Sequence, residues 1–318
     1  MSSIVFLNSK RVDFDNKLDF SKLKNLGTVE LYDESNHEQI LERVIGKNIV
    51  ITKELPMGRE LIERFPSSVK LICEAGTGYN NIDIDACRER NITVCNVPGY
   101  STEAVAQLVI TFILSLSCSL HRQQRMLENK NYDNFTKFIQ VPHFEVQNKT
   151  LGVIGAGAIG QQVIKASRAM GMKVLVYSRT PKDLGNPDIK FTGLEELLKE
   201  SDFITIHCPL TENTKYLIDK SKLQLMKPSA FIINTSRGPI IKEQDLIHAL
   251  KHKVIAGAAL DVQEVELPKL TSPLYAMENV ILTPHIGWKG YETRQRLISL
   301  LADNIEAFIS GRDVNVVG

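Results

Sequence analysis

The sequence predicts an α/β protein built from two doubly wound parallel sheets. Short apolar, β-branched runs alternate with helical stretches, the pattern of strands joined by crossover helices. The alternation comes in two series, separated by the break Pro98-Gly99-Tyr100-Ser101. At 318 residues the chain also exceeds the usual size of one domain.

The first series has strand-like runs at residues 4–7, 29–32, 48–52, 70–75 and 92–97. After the break, Ser101 is placed to cap a helix that Thr102 begins, whose buried face starts at Ala104 and which is expected to cross from one module to the other. Residues 129–148 are polar and aromatic without clear periodicity, and read as a loop or arm outside both cores. The second series follows at 151–155, 173–179, 202–208, 230–236, 257–262 and 279–285. Near-continuous apolar runs such as Phe231-Ile232-Ile233 suit strands covered by helices on both faces. A last helical stretch, residues 291–309, has no strand after it and is expected to pack back on the first module. The domains expected are therefore 1–100 with 286–318, and 101–285.

Composition narrows the function. Lys plus Arg number 38 against 37 Asp plus Glu, so there is no excess positive charge of the kind that suits nucleic acid or a membrane surface. A small-molecule partner is expected instead. The five cysteines, Cys73, Cys87, Cys95, Cys118 and Cys208, are scattered, with no C-x-x-C pair and no metal-ligand spacing. They fit reduced thiols in cytoplasm, and no metal is expected. The start of the chain lacks the layout of a secretion signal. The longest apolar stretch, 104–118, is shorter than the ~20 residues of a membrane span and reads as a buried helix.

Gly155-Ala156-Gly157-Ala158-Ile159-Gly160 follows a strand and opens a helix. In that context the first glycine makes a tight turn, the second lets a pyrophosphate approach, and the third allows helix and strand to pack closely. The second module is accordingly expected to be a Rossmann dinucleotide-binding domain. Its next strand ends in Ser178-Arg179-Thr180 rather than in an acidic residue. Without a carboxylate to bind a ribose 2′-hydroxyl, and with a guanidinium able to bind a 2′-phosphate, the local charge favours NADP(H), and NAD(H) is not excluded.

Further candidates sit at the C-terminal ends of strands, where open parallel sheets bind ligands. Arg237, in Asn234-Thr235-Ser236-Arg237-Gly238-Pro239, offers a planar fork for an oxo-acid carboxylate and its neighbouring carbonyl. His285 ends the run Val280-Ile281-Leu282-Thr283-Pro284 and is the natural proton donor for a carbonyl reduced by hydride. Glu266 would hold the His285 ring in one orientation, with Glu264 as its obvious decoy. Asp261, closing its own strand, faces the cofactor or orients a neighbour. In the first module, Glu74-Ala75-Gly76-Thr77-Gly78 follows a strand and presents backbone N–H groups to an anion such as a substrate carboxylate.

Taken together and in this order, the motifs resemble the D-isomer-specific 2-hydroxyacid dehydrogenase family over nearly the whole chain. The glycine loop Ala75-Gly76-Thr77-Gly78 and the helix opening Ser101-Thr102-Glu103-Ala104-Val105-Ala106 carry the likeness, with the dinucleotide motif at Gly155 after them. The resemblance implies a flavodoxin-like substrate domain, interrupted by the Rossmann domain, with an active-site cleft between them. It also implies that Arg237 binds and activates the substrate, that His285 is the general acid, and that Glu266 tunes it. Cofactor contacts would fall on His207-Cys208-Pro209, Thr235 and Asp261. Two departures stand out: Gln263 where phenylalanine is common, and Leu267 between Glu266 and Pro268.

Pro284-His285-Ile286-Gly287-Trp288 is similar to the hydroxypyruvate reductase and glycerate dehydrogenase branch, whose tryptophan lies near the substrate. That implies hydroxypyruvate or glyoxylate as the 2-oxo acid and the D-2-hydroxy acid as product. The run Tyr177-Ser178-Arg179-Thr180 also resembles reductases of bulkier arylpyruvates, and one branch of the family resembles a non-enzymatic, NAD(H)-sensing corepressor. The helix from Thr102 and the arm after it resemble the family's dimer-forming region, which implies a homodimer.

Overall fold

A computed structural model of the chain describes residues 2–180, 189–266 and 270–317. Leu267 and Pro268, which carry one of the two departures, lie outside the described residues. The chain divides into two compact units, one running up to Ser101 and resuming at Trp288, the other Thr102–Gly287.

In the first unit the described strands are β1 Ser2–Phe6, β2 Gly27–Leu31, β3 Ile49–Thr52, β4 Leu71–Glu74 and β5 Thr93–Cys95. They lie parallel in the order β2-β1-β3-β4-β5. This is the flavodoxin-like order, and its direction reverses between β1 and β3. The central strands β3 and β4 are buried throughout, whereas edge strand β2 is only partly covered. The helix Tyr291–Ile309 packs Leu297, Ile298, Leu301 and Ile305 against one face of this sheet. Its Arg294, 2 % exposed, is held by a bidentate pair to Asp15 at 2.8 and 2.9 Å and by the carbonyl of Val12.

In the second unit the described strands are β6 Thr150–Ile154, β7 Lys173–Tyr177, β8 Ile189–Phe191, β9 Phe203–Ile206, β10 Phe231–Asn234, β11 Gly257–Leu260 and β12 Val280–Leu282. The order is β12-β11-β10-β9-β6-β7-β8, all parallel, which is the Rossmann order with a reversal between β6 and β9. Strand β8 has no counterpart in the sequence reading. It is a three-residue edge strand, only partly buried, so it carries no long apolar run to betray it.

Every strand of this unit that was read from apolar runs ends short of the run. Gly155, His207, Ser236 and His285 all belong to the runs but lie just past the last ladder residue. The sheet's C-terminal rim is therefore made of loops that carry those residues within their first three positions, and this positions the site.

Two expectations are corrected. The helix Thr102–Ser117 belongs wholly to the second unit, where Val109, Phe112, Ile113 and Leu116 share one buried core with the helix Ala158–Ala169 and β10. Residues 129–148 are not all outside the cores, because Phe144 rests on Phe203 and Phe231, with ring centroids 6.1 and 6.2 Å away. Its neighbours in sequence are polar, which hid that contact from a periodicity argument. Among the described residues, no single helix is long and apolar enough to cross a membrane.

Candidate active site

Strand β6 leads directly into the glycine turn. Gly155 has φ +100°, a conformation open to glycine, and a Cβ there would stand 2.7 Å from the backbone nitrogen of Cys208. The turn and the segment His207-Cys208-Pro209 thus meet at the point where strand order reverses. A Cβ on Gly160 would fall 2.2 Å from the Gly155 carbonyl oxygen, so only a hydrogen lets the helix approach its own turn. Gly157 differs: the space at its Cβ position is open, and no side chain caps the helix Ala158–Ala169 that starts after it. The first-turn N–H groups of that helix, including those of Ala158 and Ile159, form an uncapped donor cluster at the positive end of the helix dipole.

The flanking groups fit the same ligand. Burial pushes the His207 imidazole down to about 3, so the ring is neutral, and its Nε2 pairs with Thr205 Oγ1 at 2.9 Å. Burial also lifts the Cys208 thiol to about 11, so it is a neutral wall rather than a thiolate. Thr235 is 8 % exposed, and its hydroxyl oxygen is buried without a partner. A buried hydroxyl left unpaired costs free energy, so it calls for a polar ligand atom. Ser178 Oγ donates to the Thr180 carbonyl at 3.3 Å in the turn after β7, with Arg179 exposed between them. Uncapped helix, open glycine and orphaned hydroxyl together suit a dinucleotide.

Arg237 follows β10 in extended backbone, and its Nη1 donates to the Ser236 carbonyl at 2.8 Å. The turn that carries it is fixed from both sides. Asn234 Nδ2 donates to the Arg237 carbonyl at 2.9 Å, and Ser236 Oγ to the Cys208 carbonyl at 2.5 Å. Gly238 is indispensable here, because a Cβ on it would lie 1.8 Å from the Gln263 carbonyl oxygen. Its bare backbone lets the Arg237 turn pack against the segment that leads to Glu266.

His285 Nδ1 lies 3.0 Å from Glu266 Oε2. This bond orients the ring and leaves Nε2 for a substrate. The backbone of His285 is in the left-handed region at φ +51°, uncommon for a residue other than glycine, though histidine enters it more readily than most. Asp261 holds it there. Its Oδ1 accepts from Thr283 Oγ1 at 2.5 Å and from the Ile286 N–H at 2.8 Å, and its Oδ2 accepts from the Gly287 N–H at 2.9 Å. The Asp261 carbonyl takes the His285 N–H itself at 2.9 Å. Asp261 therefore clamps the turn and orients its neighbour, with both carboxylate oxygens engaged inside the unit. The decoy Glu264 is occupied elsewhere: it accepts from the Tyr216 hydroxyl at 2.6 Å and from the Glu243 N–H at 2.9 Å, at the start of the helix Glu243–Lys251. Gln263, in place of the common phenylalanine, has a buried side-chain oxygen without a partner.

In the first unit, the loop 75–78 is braced through its carbonyls. Gly76 O accepts from the Val97 N–H at 2.8 Å and Thr77 O from Asn96 Nδ2 at 2.7 Å. The N–H groups of Gly76, Thr77 and Gly78 donate to no described residue, as an anion-binding loop requires. Trp288 is 6 % exposed and belongs to this unit's apolar core, its ring facing Lys53 Nζ at 4.3 Å. Lys53, buried beside the loop, was not singled out from sequence, and Glu74 was named only as the residue that opens the loop motif. Lys53 had a signal, for it directly follows the apolar run Ile49-Val50-Ile51-Thr52 and so stands at a strand's C-terminal end.

Residues 110–287 match the family D-isomer specific 2-hydroxyacid dehydrogenase, NAD binding domain. The chain belongs to this family. It is 38 % identical over 307 residues to a hydroxypyruvate reductase of Blautia hydrogenotrophica, covering 94 % of this chain and 95 % of that one. It is also 38 % identical over 278 residues to a glyoxylate reductase of Thermococcus litoralis, with 86 % and 83 % covered. Among solved structures, an acyclic imino acid reductase in complex with NADPH and D-Arg superposes with a TM-score of 0.88 at 29 % identity, over 99 % of this chain and 100 % of that one. The protein is thus an oxidoreductase of the D-2-hydroxyacid dehydrogenase family that uses a nicotinamide cofactor and acts on 2-oxo acids as their reductase.

Proposed function

We propose that this D-2-hydroxyacid dehydrogenase reduces hydroxypyruvate to D-glycerate or glyoxylate to glycolate, with NADPH preferred over NADH. The observation that carries the proposal is the 3.0 Å bond from Glu266 to His285 Nδ1, on a turn held by Asp261. A nicotinamide, when bound, supplies the hydride. Arg237 binds the substrate carboxylate and polarises the adjacent carbonyl through its fork. As negative charge develops on the carbonyl oxygen, His285 donates a proton from Nε2, and Glu266 keeps the ring turned for that transfer. The loop 75–78 offers its unpaired N–H groups to carboxylate. Thr235 and the uncapped helix start take polar atoms of the cofactor.

The small substrate is supported by the relatives named above, and the preference for NADPH by Ser178 and Arg179, which leave no carboxylate to repel a 2′-phosphate. Steady-state reduction of glyoxylate, hydroxypyruvate, pyruvate and phenylpyruvate with each cofactor tests both parts. The expected result is the highest kcat/KM for glyoxylate or hydroxypyruvate with NADPH, and a shift toward NADH in Ser178→Asp. Faster reduction of phenylpyruvate, or a wild-type preference for NADH, would contradict it.

A further inference from the structure

Away from the groups assigned to the reaction, the helix Glu243–Lys251 carries two histidines one turn apart, His248 and, at its C-cap, His252. Side chains four residues apart on a helix share a face and meet without distortion. The two rings stack, with centroids 4.0 Å apart and planes inclined by 28°. Packing does not demand this. The helix turns Leu246, Ile247, Ala249 and Leu250 to the core and leaves both imidazoles exposed.

The His252 ring is fixed in one sense. Its Nδ1 lies 2.9 Å from the His248 carbonyl oxygen, which can only accept, so Nδ1 carries a proton. In the neutral ring the lone pair is then on Nε2. A backbone carbonyl that takes one ring N–H and so frees the other nitrogen is the arrangement that orients histidines on metal ions. The His248 ring donates to no described residue, which leaves it free to turn a nitrogen toward the same point.

The spacing and the local field agree. Two imidazole nitrogens held at about 2.1 Å from one zinc stand no more than about 4.2 Å apart, a span that rings 4.0 Å apart can supply. The last carbonyls of the helix form the negative pole of its dipole, which favours a cation at this end. Lys251 and Lys253, on either side of His252 in sequence, are exposed, so water and salt screen their charge. Among the described residues no third histidine, cysteine or carboxylate completes a cluster with the pair. The other positions on such an ion fall to water or to an outside ligand.

We propose that His248 and His252 form a two-histidine site for a first-row divalent transition metal of the copper, nickel or zinc class that imidazole suits. The site shares no residue with the proposed reaction and does not rest on it.

The test titrates the full chain with Ni²⁺ by calorimetry, as wild type, His248→Ala, His252→Ala and the double variant. Both positions are exposed, so the substitutions cost little stability. When two imidazoles share one ion the second binds intramolecularly, so each single variant should lose at least about tenfold in affinity. The double variant should lose little more than either single one, the non-additivity of residues that hold one group. Saturating Ni²⁺ should also raise the melting temperature of the wild type, because only the folded helix brings the rings together, and both single variants should lose that rise. Wild-type affinity in either single variant, or losses that simply add in the double variant, would mean an adventitious ion only, on separate imidazoles, and would overturn the proposal.

Discussion

At the scale of single residues, burial acts on two titratable groups in opposite senses. His207 is driven to neutrality, while Glu74, with no exposed surface, has its carboxyl raised from 4.5 to about 7. Burial is the largest cause for Glu74. Lys53, the Asn81 amide and the Glu54 N–H pull the other way, and the Glu54 carboxylate adds to burial. Between the two values the unfolded chain has lost the proton that the folded chain keeps, so stability falls as pH rises through that window. A shift from 4.5 to about 7 corresponds to about 3 kcal/mol. Urea unfolding at pH 4.5 and 7.5 should show wild type losing about that much relative to Glu74→Gln. Parallel pH slopes in the two proteins would mean that Glu74 ionises freely. That Glu266 would stand against His285, and that Arg237 would follow the end of β10, was legible in the sequence because a strand's end marks a ligand rim and the chemistry limits the residue types. What occupies the decoy Glu264 was not, since its partners Tyr216 and Glu243 are distant in sequence. The clamp at Asp261 was equally hidden, because its donors come from Thr283, Ile286 and Gly287, far along the chain.

Elements make the site by ending early. The parallel strands of the second unit were readable as apolar runs because both faces are buried, but the runs overshoot the ladders, and the overshoot holds Gly155, His207, Ser236 and His285. Apolar content measures burial rather than hydrogen bonding, so the rim of a sheet looks like more strand. Edge strand β8 shows the converse, pairing without enough burial to leave a pattern. The junction of β6 with the helix Ala158–Ala169 is the element most sensitive to change. Gly160→Ala would set a methyl group 2.2 Å from the Gly155 carbonyl, which is backbone and cannot rotate away. The turn must open, and NADPH affinity should fall at least tenfold while the melting temperature drops by a few degrees, of the order expected for an overpacked site. Wild-type affinity, by fluorescence titration, would show that the turn does not hold the cofactor.

For the whole molecule, the two sheet orders explain why one chain carries two kinds of ligand rim. Each doubly wound sheet has its own reversal point, at Lys53 in the first unit and at Gly155 with His207 in the second. The fold class was readable because alternating runs and crossover helices leave few topologies. Phe135 and Phe138 are 72 % and 87 % exposed. We propose that a homodimer buries this arm, and light scattering behind size exclusion should then return twice the 35.7 kDa chain mass. A monomer at working concentration would leave that surface unexplained. The central claim is that one imidazole, aimed by Glu266 and set by the Asp261 clamp, protonates the substrate. It is tested most directly by His285→Ala, with kcat measured beside the dissociation constant for NADPH. The account predicts a fall in kcat of at least about a hundredfold, with cofactor affinity within twofold of wild type. Turnover at the wild-type rate in that variant would contradict it.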